Sequence, residues 1–368
     1  MSLEEKVLKR FLEYVEISSE TGNEKSFSDK LIQDLSHLGA EIVRDKAGEK
    51  ANSNTDNLFV YFPGNHSQEV MLFSCHMDTV SEGKPIHPVV EEGVVRSAGD
   101  TILSGDDKAG IAALVTAMEE LNKKGEHYGP VQLVFTVSEE KGLKGSRYMD
   151  MTKLLGTTCF VVDSSGPIGK VITSAPFQNR LHASITGKPA HAGVAPENGI
   201  SAIQVGAQAI SQMKLLRIDE ETTANIGSFI GKGPTNIVSE RVEIEGEVRS
   251  LDEKKLEQQT DHMIKCIHQA CEEKGAKVEL KVDRMYDGYR ISVEDPFLQL
   301  YKRVCGEMGI PVQLAATGGG SDANIYNSRG ITTLNIGTGV AYPHAVEEQI
   351  SVKDLEQLTR LLMGLIRR

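Results

Sequence analysis

Four apolar runs in this chain each stop at a histidine or an acid, and that recurrence limits the folds open to it. Val70-Met71-Leu72-Phe73-Ser74-Cys75 leads into His76-Met77-Asp78, and Val131-Gln132-Leu133-Val134-Phe135-Thr136-Val137 leads to Glu139-Glu140. Thr158-Cys159-Phe160-Val161-Val162 precedes Asp163, and His344 lies just past Ile331-Thr332-Thr333-Leu334-Asn335-Ile336. Short apolar runs of this kind read as buried strands. Between them Ile111, Leu114, Val115, Met118 and Leu121 recur at helical spacing, which predicts a helix over 107–122. Strand and helix in alternation imply a layered α/β domain. In such a sheet the carboxyl ends of the strands share one rim, where ligands collect. Asp106 and Asp107, in the loop after Arg96-Ser97-Ala98-Gly99, add two carboxylates to that rim. Together these residues read as a metal site.

The bulk composition fits. With 368 residues, 39% of them hydrophobic, the chain can fill a large core and divide into two domains. A net charge of -12, with no Lys/Arg stripe interleaved with aromatics, argues against nucleic acid as a partner. Five cysteines with no C-x-x-C pair argue against a disulfide framework and suit a reducing cytoplasm. The first helix, to about Ile17, mixes charged and apolar residues and lacks the continuous apolar stretch of a signal peptide. No segment is long and apolar enough to imply a membrane partner.

Near Pro176 the order of elements changes. Leu181–Thr186 alternates as a strand, 199–216 reads as a helix, and 224–230 and 236–250 read as strands. A charged amphipathic helix over 253–274 and a strand over 277–282 follow. This β-α-β-β-α-β order is the ferredoxin-like arrangement, which closes on itself. The expected division is therefore a catalytic α/β domain of residues 1–176 and 290–368 with an α+β domain, 177–289, inserted in it.

The residue types at the rim suggest their chemistry. His76 and Asp78 alternate on an extended segment and point the same way, so one can bind a metal while the other orients it. A carboxylate such as Asp106 can bridge two cations held roughly 3.5 to 4 Å apart. Asp107, one residue later, suits the N-cap of the following helix. Of the adjacent Glu139 and Glu140, one can ligate while the other takes a proton from attacking water. Imidazole and carboxylate donors without thiolate suit two divalent ions, Zn²⁺ first, with Mn²⁺ or Co²⁺ as substitutes. Cys75 points to the opposite side of its strand and reads as core. Gly318-Gly319-Gly320-Ser321-Asp322 offers main-chain N–H groups, Gly319 among them, to a substrate carboxylate, and lacks the Gly-Lys-Ser/Thr of a nucleotide loop. In the inserted domain His191 and Arg249 are candidates for an oxyanion donor and a carboxylate clamp.

At these residues the chain resembles the co-catalytic zinc exopeptidase family that includes peptidase T, carboxypeptidase G, dipeptidases and aminoacylase. The motifs are Ser74-Cys75-His76-Met77-Asp78, Gly105-Asp106-Asp107-Lys108-Ala109-Gly110, Ser138-Glu139-Glu140-Lys141-Gly142, Val161-Val162-Asp163, Gly187-Lys188-Pro189-Ala190-His191-Ala192-Gly193 and Pro343-His344. The resemblance implies one metal on His76, Asp106 and Asp163 and a second on Asp106, Glu140 and His344. It makes Glu139 the general base and Asp78 the orienter of His76. It further implies a cis Asp106-Asp107 bond, and an inserted domain that serves as lid and homodimer contact. In that domain His191 reaches the neighbouring subunit's site, while Asn236 and Arg249 contact the substrate's terminal groups. Asp-Asp-Lys-Ala-Gly and Val-Asp-Ser-Ser-Gly-Pro lean toward the peptidase T branch, whose substrates are tripeptides. A carboxypeptidase or N-acyl-amino-acid amidohydrolase of the same family, and a non-catalytic peptide- or metal-binding member, are the alternatives.

Overall fold

The computed structural model describes residues 1–66, 68–80 and 85–368. The chain divides into two compact units, one of Met1–Thr173, Arg290–Ala316 and Ser321–Arg368, the other of Ser174–Tyr289 and Thr317–Gly320.

In the first unit the four strands read from the sequence stand side by side. Val131–Thr136, Met71–His76, Thr158–Ser164 and Thr332–Gly337 are neighbours in that order. Every adjacent pair among them is parallel. Their carboxyl ends therefore open on the same edge. Leu58–Phe62 and Glu41–Arg44 extend the sheet antiparallel beyond Val131–Thr136. Helices Leu3–Val15, Gly105–Lys124 and Val352–Arg367 pack on one another. The first begins with a reciprocal cap between Ser2 and Glu5, which satisfies two otherwise orphaned helix-end donors. In the core, Phe73, Phe297 and Tyr301 close around Phe160, the nearest ring centroids 4.3 Å apart. Burying each ring contributes on the order of 1.5–3 kcal/mol, which holds the strands in place under the rim.

The predicted helix over 107–122 is present but starts with a kink. Asp106 and Asp107 have non-helical backbone angles, and the peptide bond between them is cis. Asp107 does not cap the helix; its Oδ2 accepts the main-chain N–H of His76 at 3.2 Å. A small sheet of Pro88–Glu91, Val94–Ser97 and Gln349–Ser351 was not legible in the sequence. Its strands are short and half-exposed, with too few residues for a period to show.

The second unit holds a sheet in the order Leu216–Arg217, Thr222–Ile230, Arg241–Ser250, Phe177–Thr186, Lys277–Tyr286. All its pairings are antiparallel. Helices Ala202–Gln212 and Glu253–Lys274 pack on it, around a core that includes Leu181, Ile185, Val242, Ile244, Met263 and Ile267. The four long strands have the ferredoxin-like order. Two boundaries differ from the sequence reading. Residues 236–240 pair with the 187–192 segment instead of starting the third strand, through Gly187 N–H to Glu240 O at 2.7 Å and Val238 N–H to Ala190 O at 2.9 Å. The helix expected over 199–216 begins only after Ser201, whose side chain caps Gln204 N–H, and ends at Gln212. Among the described residues no helix is long and apolar enough to cross a membrane.

Candidate metal centre

The parallel register delivers the rim residues to one place. His76 Nε2 lies 3.0 Å from Asp106 Oδ1 and 3.6 Å from Asp163 Oδ1. On the other side, His344 Nε2 lies 3.4 Å from Asp106 Oδ2 and 2.8 Å from Glu140 Oε1. The two oxygens of Asp106 thus face two separate imidazole–carboxylate groups. Donor atoms of His76, Asp106 and Glu140 lie within 4.8 Å of one another, as do those of His76, Asp107 and Asp163. Asp107 Oδ1 is buried with no N–H or O–H donor, while the buried Glu140 Oε1 faces the His344 imidazole. Buried acceptors without a donor cost free energy unless something else satisfies them, and a divalent cation does so. The residues present therefore fit the implied metals. Asp107, read from sequence as a helix cap, is a further candidate donor. Cys75 Sγ lies 4.0 Å from the Val162 carbonyl oxygen.

Burial and the pairing of imidazoles with carboxylates set the protonation of these groups. Burial opposes the imidazolium of His76, yet Asp106, Asp163 and Asp78 together raise its pKa well above the usual histidine value. Asp106 and Glu140 push His344 up to about 10. Burial raises the carboxyls of Asp163, Glu140 and Glu139, while Asp106, flanked by both imidazoles, is lowered despite its burial. Imidazoles and carboxylates must give up protons to ligate a cation, so metal binding here would be pH-dependent.

Around the cluster a second layer fixes the strand ends. His76 Nδ1 is 2.8 Å from the main-chain oxygen of Asp78 and 3.6 Å from its carboxylate. The orienting partner expected in the Asp78 carboxylate is therefore, at hydrogen-bond distance, its carbonyl. The carboxylate instead accepts the N–H groups of Glu139 and Glu140 at 2.8 and 3.1 Å and the Thr21 hydroxyl at 2.8 Å. Glu24, fully buried, accepts the N–H and hydroxyl of Ser138. Asp322, also buried, accepts the hydroxyls of Thr136 and Ser146. Glu348 accepts three N–H groups of the loop before the Asp106–Asp107 bond. The sequence reading passed over Thr21, Glu24 and Glu348 and took Asp322 only as part of a glycine-rich loop. None is at the end of an apolar run, the signal that found His76, Glu139, Glu140 and Asp163. Ser104, Ser138, Tyr342 and His344 all have left-handed φ values of 50–63°. Such conformations are unfavourable for these residue types and concentrate at functional sites.

In the second unit His191 and Asn236 are brought together. Ala192 N–H donates to Asn236 O at 2.9 Å, and both side chains are exposed. Arg249 is tied to Glu247 by Nε and a terminal nitrogen at 2.9 and 3.1 Å, and its other terminal nitrogen reaches Gly318 O at 3.3 Å. Gly319 N–H donates to Thr317 Oγ1 at 3.1 Å, so an incoming carboxylate would have to displace that hydroxyl.

An α/β layer with this rim has the donor set of a metal-dependent hydrolase. The chain belongs to peptidase family M20/M25/M40, whose model matches residues 72–368. It is 38% identical over 363 residues to an uncharacterized protein of Bacillus subtilis, YqjE, covering 99% of this chain and 98% of that one. Among solved structures, aminopeptidase PepT from Bacillus cereus superposes with a TM-score of 0.89 at 36% identity. A tripeptidase from Staphylococcus aureus superposes with a TM-score of 0.94 at 34% identity. Each comparison covers 99% of this chain and 98% of the other. The exopeptidase resemblance and the α/β class read from the sequence are both borne out.

Proposed function

We propose that this protein removes the N-terminal residue of short peptides, tripeptides above all, using two divalent cations, zinc as the native metal. The observation that carries the reading is Asp106, whose Oδ1 and Oδ2 face His76 and His344 at 3.0 and 3.4 Å. In this reading His76, Asp106 and Asp163 hold one cation, and Asp106, Glu140 and His344 the other. When bound, such a pair supplies a Lewis acid for the scissile carbonyl and lowers the pKa of water. Glu139 takes a proton from the attacking water as the C–O bond forms. It then returns that proton to the departing amine as the C–N bond breaks. Burial raises the carboxyl of Glu139, which suits a group that must both accept and give a proton near neutral pH. The second unit would act as lid and dimer contact. There His191, Asn236, Arg249 and the Gly319 loop would supply the groups that bind the substrate's ends. The homodimer and a cytoplasmic setting belong to the same proposal.

Hydrolysis of di-, tri- and tetrapeptides with free and blocked N-termini tests it. Free tripeptides are expected to be cleaved and N-acetylated ones refused. Preference for the blocked peptides would replace the aminopeptidase with an acylase or carboxypeptidase. No hydrolysis by metal-loaded protein would remove catalysis altogether. Equilibrium sedimentation giving a monomer would remove the cross-subunit role of His191.

A further inference from the structure

Glu348 stands four residues beyond His344 in the chain, and its side chain turns back into the protein. The residue is 1% exposed. Oε2 accepts the main-chain N–H groups of Leu103 at 2.9 Å and Ser104 at 2.7 Å, and Oε1 accepts that of Asp106 at 2.9 Å. We propose that Glu348 is the positioning residue that fixes the His344 loop against the Asp106 loop, and so sets the cation position formed by Asp106, Glu140 and His344. This rests on the two-cation reading above.

The two cation positions differ in how they are supported. His76 and Asp163 belong to Met71–His76 and Thr158–Ser164, strands joined by a parallel ladder that sets their separation. His344 sits in a loop, with a half-exposed side chain and a φ of 63°. That loop is closed on itself by the reciprocal bonds of Ala341 and Gln349 at 2.9 and 3.1 Å. Pairing of Gln349–Ser351 with Val94–Ser97 anchors the end of the loop to the strand that precedes the Asp106 segment, without gripping that segment itself. The Glu348 carboxylate makes that connection, gripping three amides of a segment about 240 residues earlier in the chain.

Gly105 supports the same conclusion. A Cβ there would lie 3.2 Å from Glu348 Oε1 and 3.2 Å from Val340 Cγ2, so the loops approach more closely than a side chain would comfortably allow. Glu348 is not itself placed as a ligand, because both its oxygens already accept N–H groups. Its action would pass through the loops, as partners outside the ligand shell commonly do, at about 10- to 100-fold in metal affinity.

The test is a Co²⁺ titration of the metal-free full-length protein, followed by visible absorption, in wild type, E348Q, E348D and E347Q. Glutamine has a single acceptor oxygen and must release either Asp106 or the Leu103–Ser104 pair. Aspartate keeps the charge and shortens the arm. Glu347 is exposed, so E347Q removes the same charge beside the loop without touching those amides. Wild type and E347Q are expected to take up two equivalents. E348Q and E348D should bind one equivalent normally and the second about 10- to 100-fold more weakly. Thermal melts of the metal-free proteins identify the folded variants, and E348D carries the test should E348Q not fold. Wild-type affinity for both equivalents in a folded Glu348 variant would overturn the proposal. So would equal weakening of both, or the same loss in E347Q. Fewer than two equivalents in wild type would overturn the two-cation reading itself.

Discussion

Asp78 Oδ1 accepts the main-chain N–H of Glu139 at 2.8 Å, which makes this carboxylate the anchor of the strand end that carries the proposed base. Its other oxygen holds Glu140 N–H and the Thr21 hydroxyl. Asp78→Asn removes one of the two acceptors and leaves the carbonyl that faces His76. The expected result is a 10- to 100-fold fall in kcat with both metals still bound. Turnover and metal content measured on one preparation check it.

Glu139 and Asp106 should separate cleanly. Glu139→Gln spares every proposed ligand and removes a proton acceptor, so metal content should stay whole while kcat falls about 10²- to 10⁴-fold. Asp106→Ala takes a donor from both groups and should lower the metal content itself. Mass spectrometric metal analysis of the two variants distinguishes the roles.

Packing under the site should show up in stability. A Cβ on Gly110 would overlap the Val162 carbonyl oxygen and lie 2.5 Å from Asp107 Oδ1. Gly110→Ala is expected to destabilise the fold by about 1–3 kcal/mol through overpacking. Gly306, in the helix Pro296–Glu307, has open space at the same position. Gly306→Ala should stabilise by about 0.4–1 kcal/mol, since alanine has less backbone freedom than glycine to lose on folding. Chemical denaturation of the two variants gives the comparison.

Burial raises the Asp322 carboxyl from 3.8 to about 6, against the hydroxyls of Thr136 and Ser146 that stabilise its charge. With its folded pKa above the unfolded one, the folded protein holds this proton after the unfolded chain has lost it. Its contribution to stability is therefore fullest below pH 4 and is lost as pH rises to about 6. Each unit of that shift corresponds to about 1.4 kcal/mol, so the loss is on the order of a few kcal/mol in metal-free protein. Asp322→Asn should flatten that part of the pH–stability curve, as read by denaturant unfolding at stepped pH.

What the sequence made legible was whatever repeated. His76, Asp163 and the Glu139–Glu140 pair each follow an apolar run, and the parallel ladder makes that linear regularity a shared edge. Glu24 and Glu348 act through main-chain amides, and no pattern of residue types announces which amides will be near; Asp78 was legible as a neighbour of His76, but its hold on the Glu139 and Glu140 amides was not. Asp107 shows the same limit: its position before a helix suggested a cap, whereas its carboxylate went to His76 N–H. Strand boundaries at 236–240 moved because backbone pairing with 187–192 competed successfully with strand extension.

The central claim is that two cations, joined by Asp106, act together. The most direct measurement titrates Zn²⁺ into the metal-free protein while following hydrolysis of a free tripeptide. Activity is expected to rise with the second equivalent per chain, and Asp106→Ala to show no such rise. Full activity at one equivalent, or wild-type activity in Asp106→Ala, would contradict it.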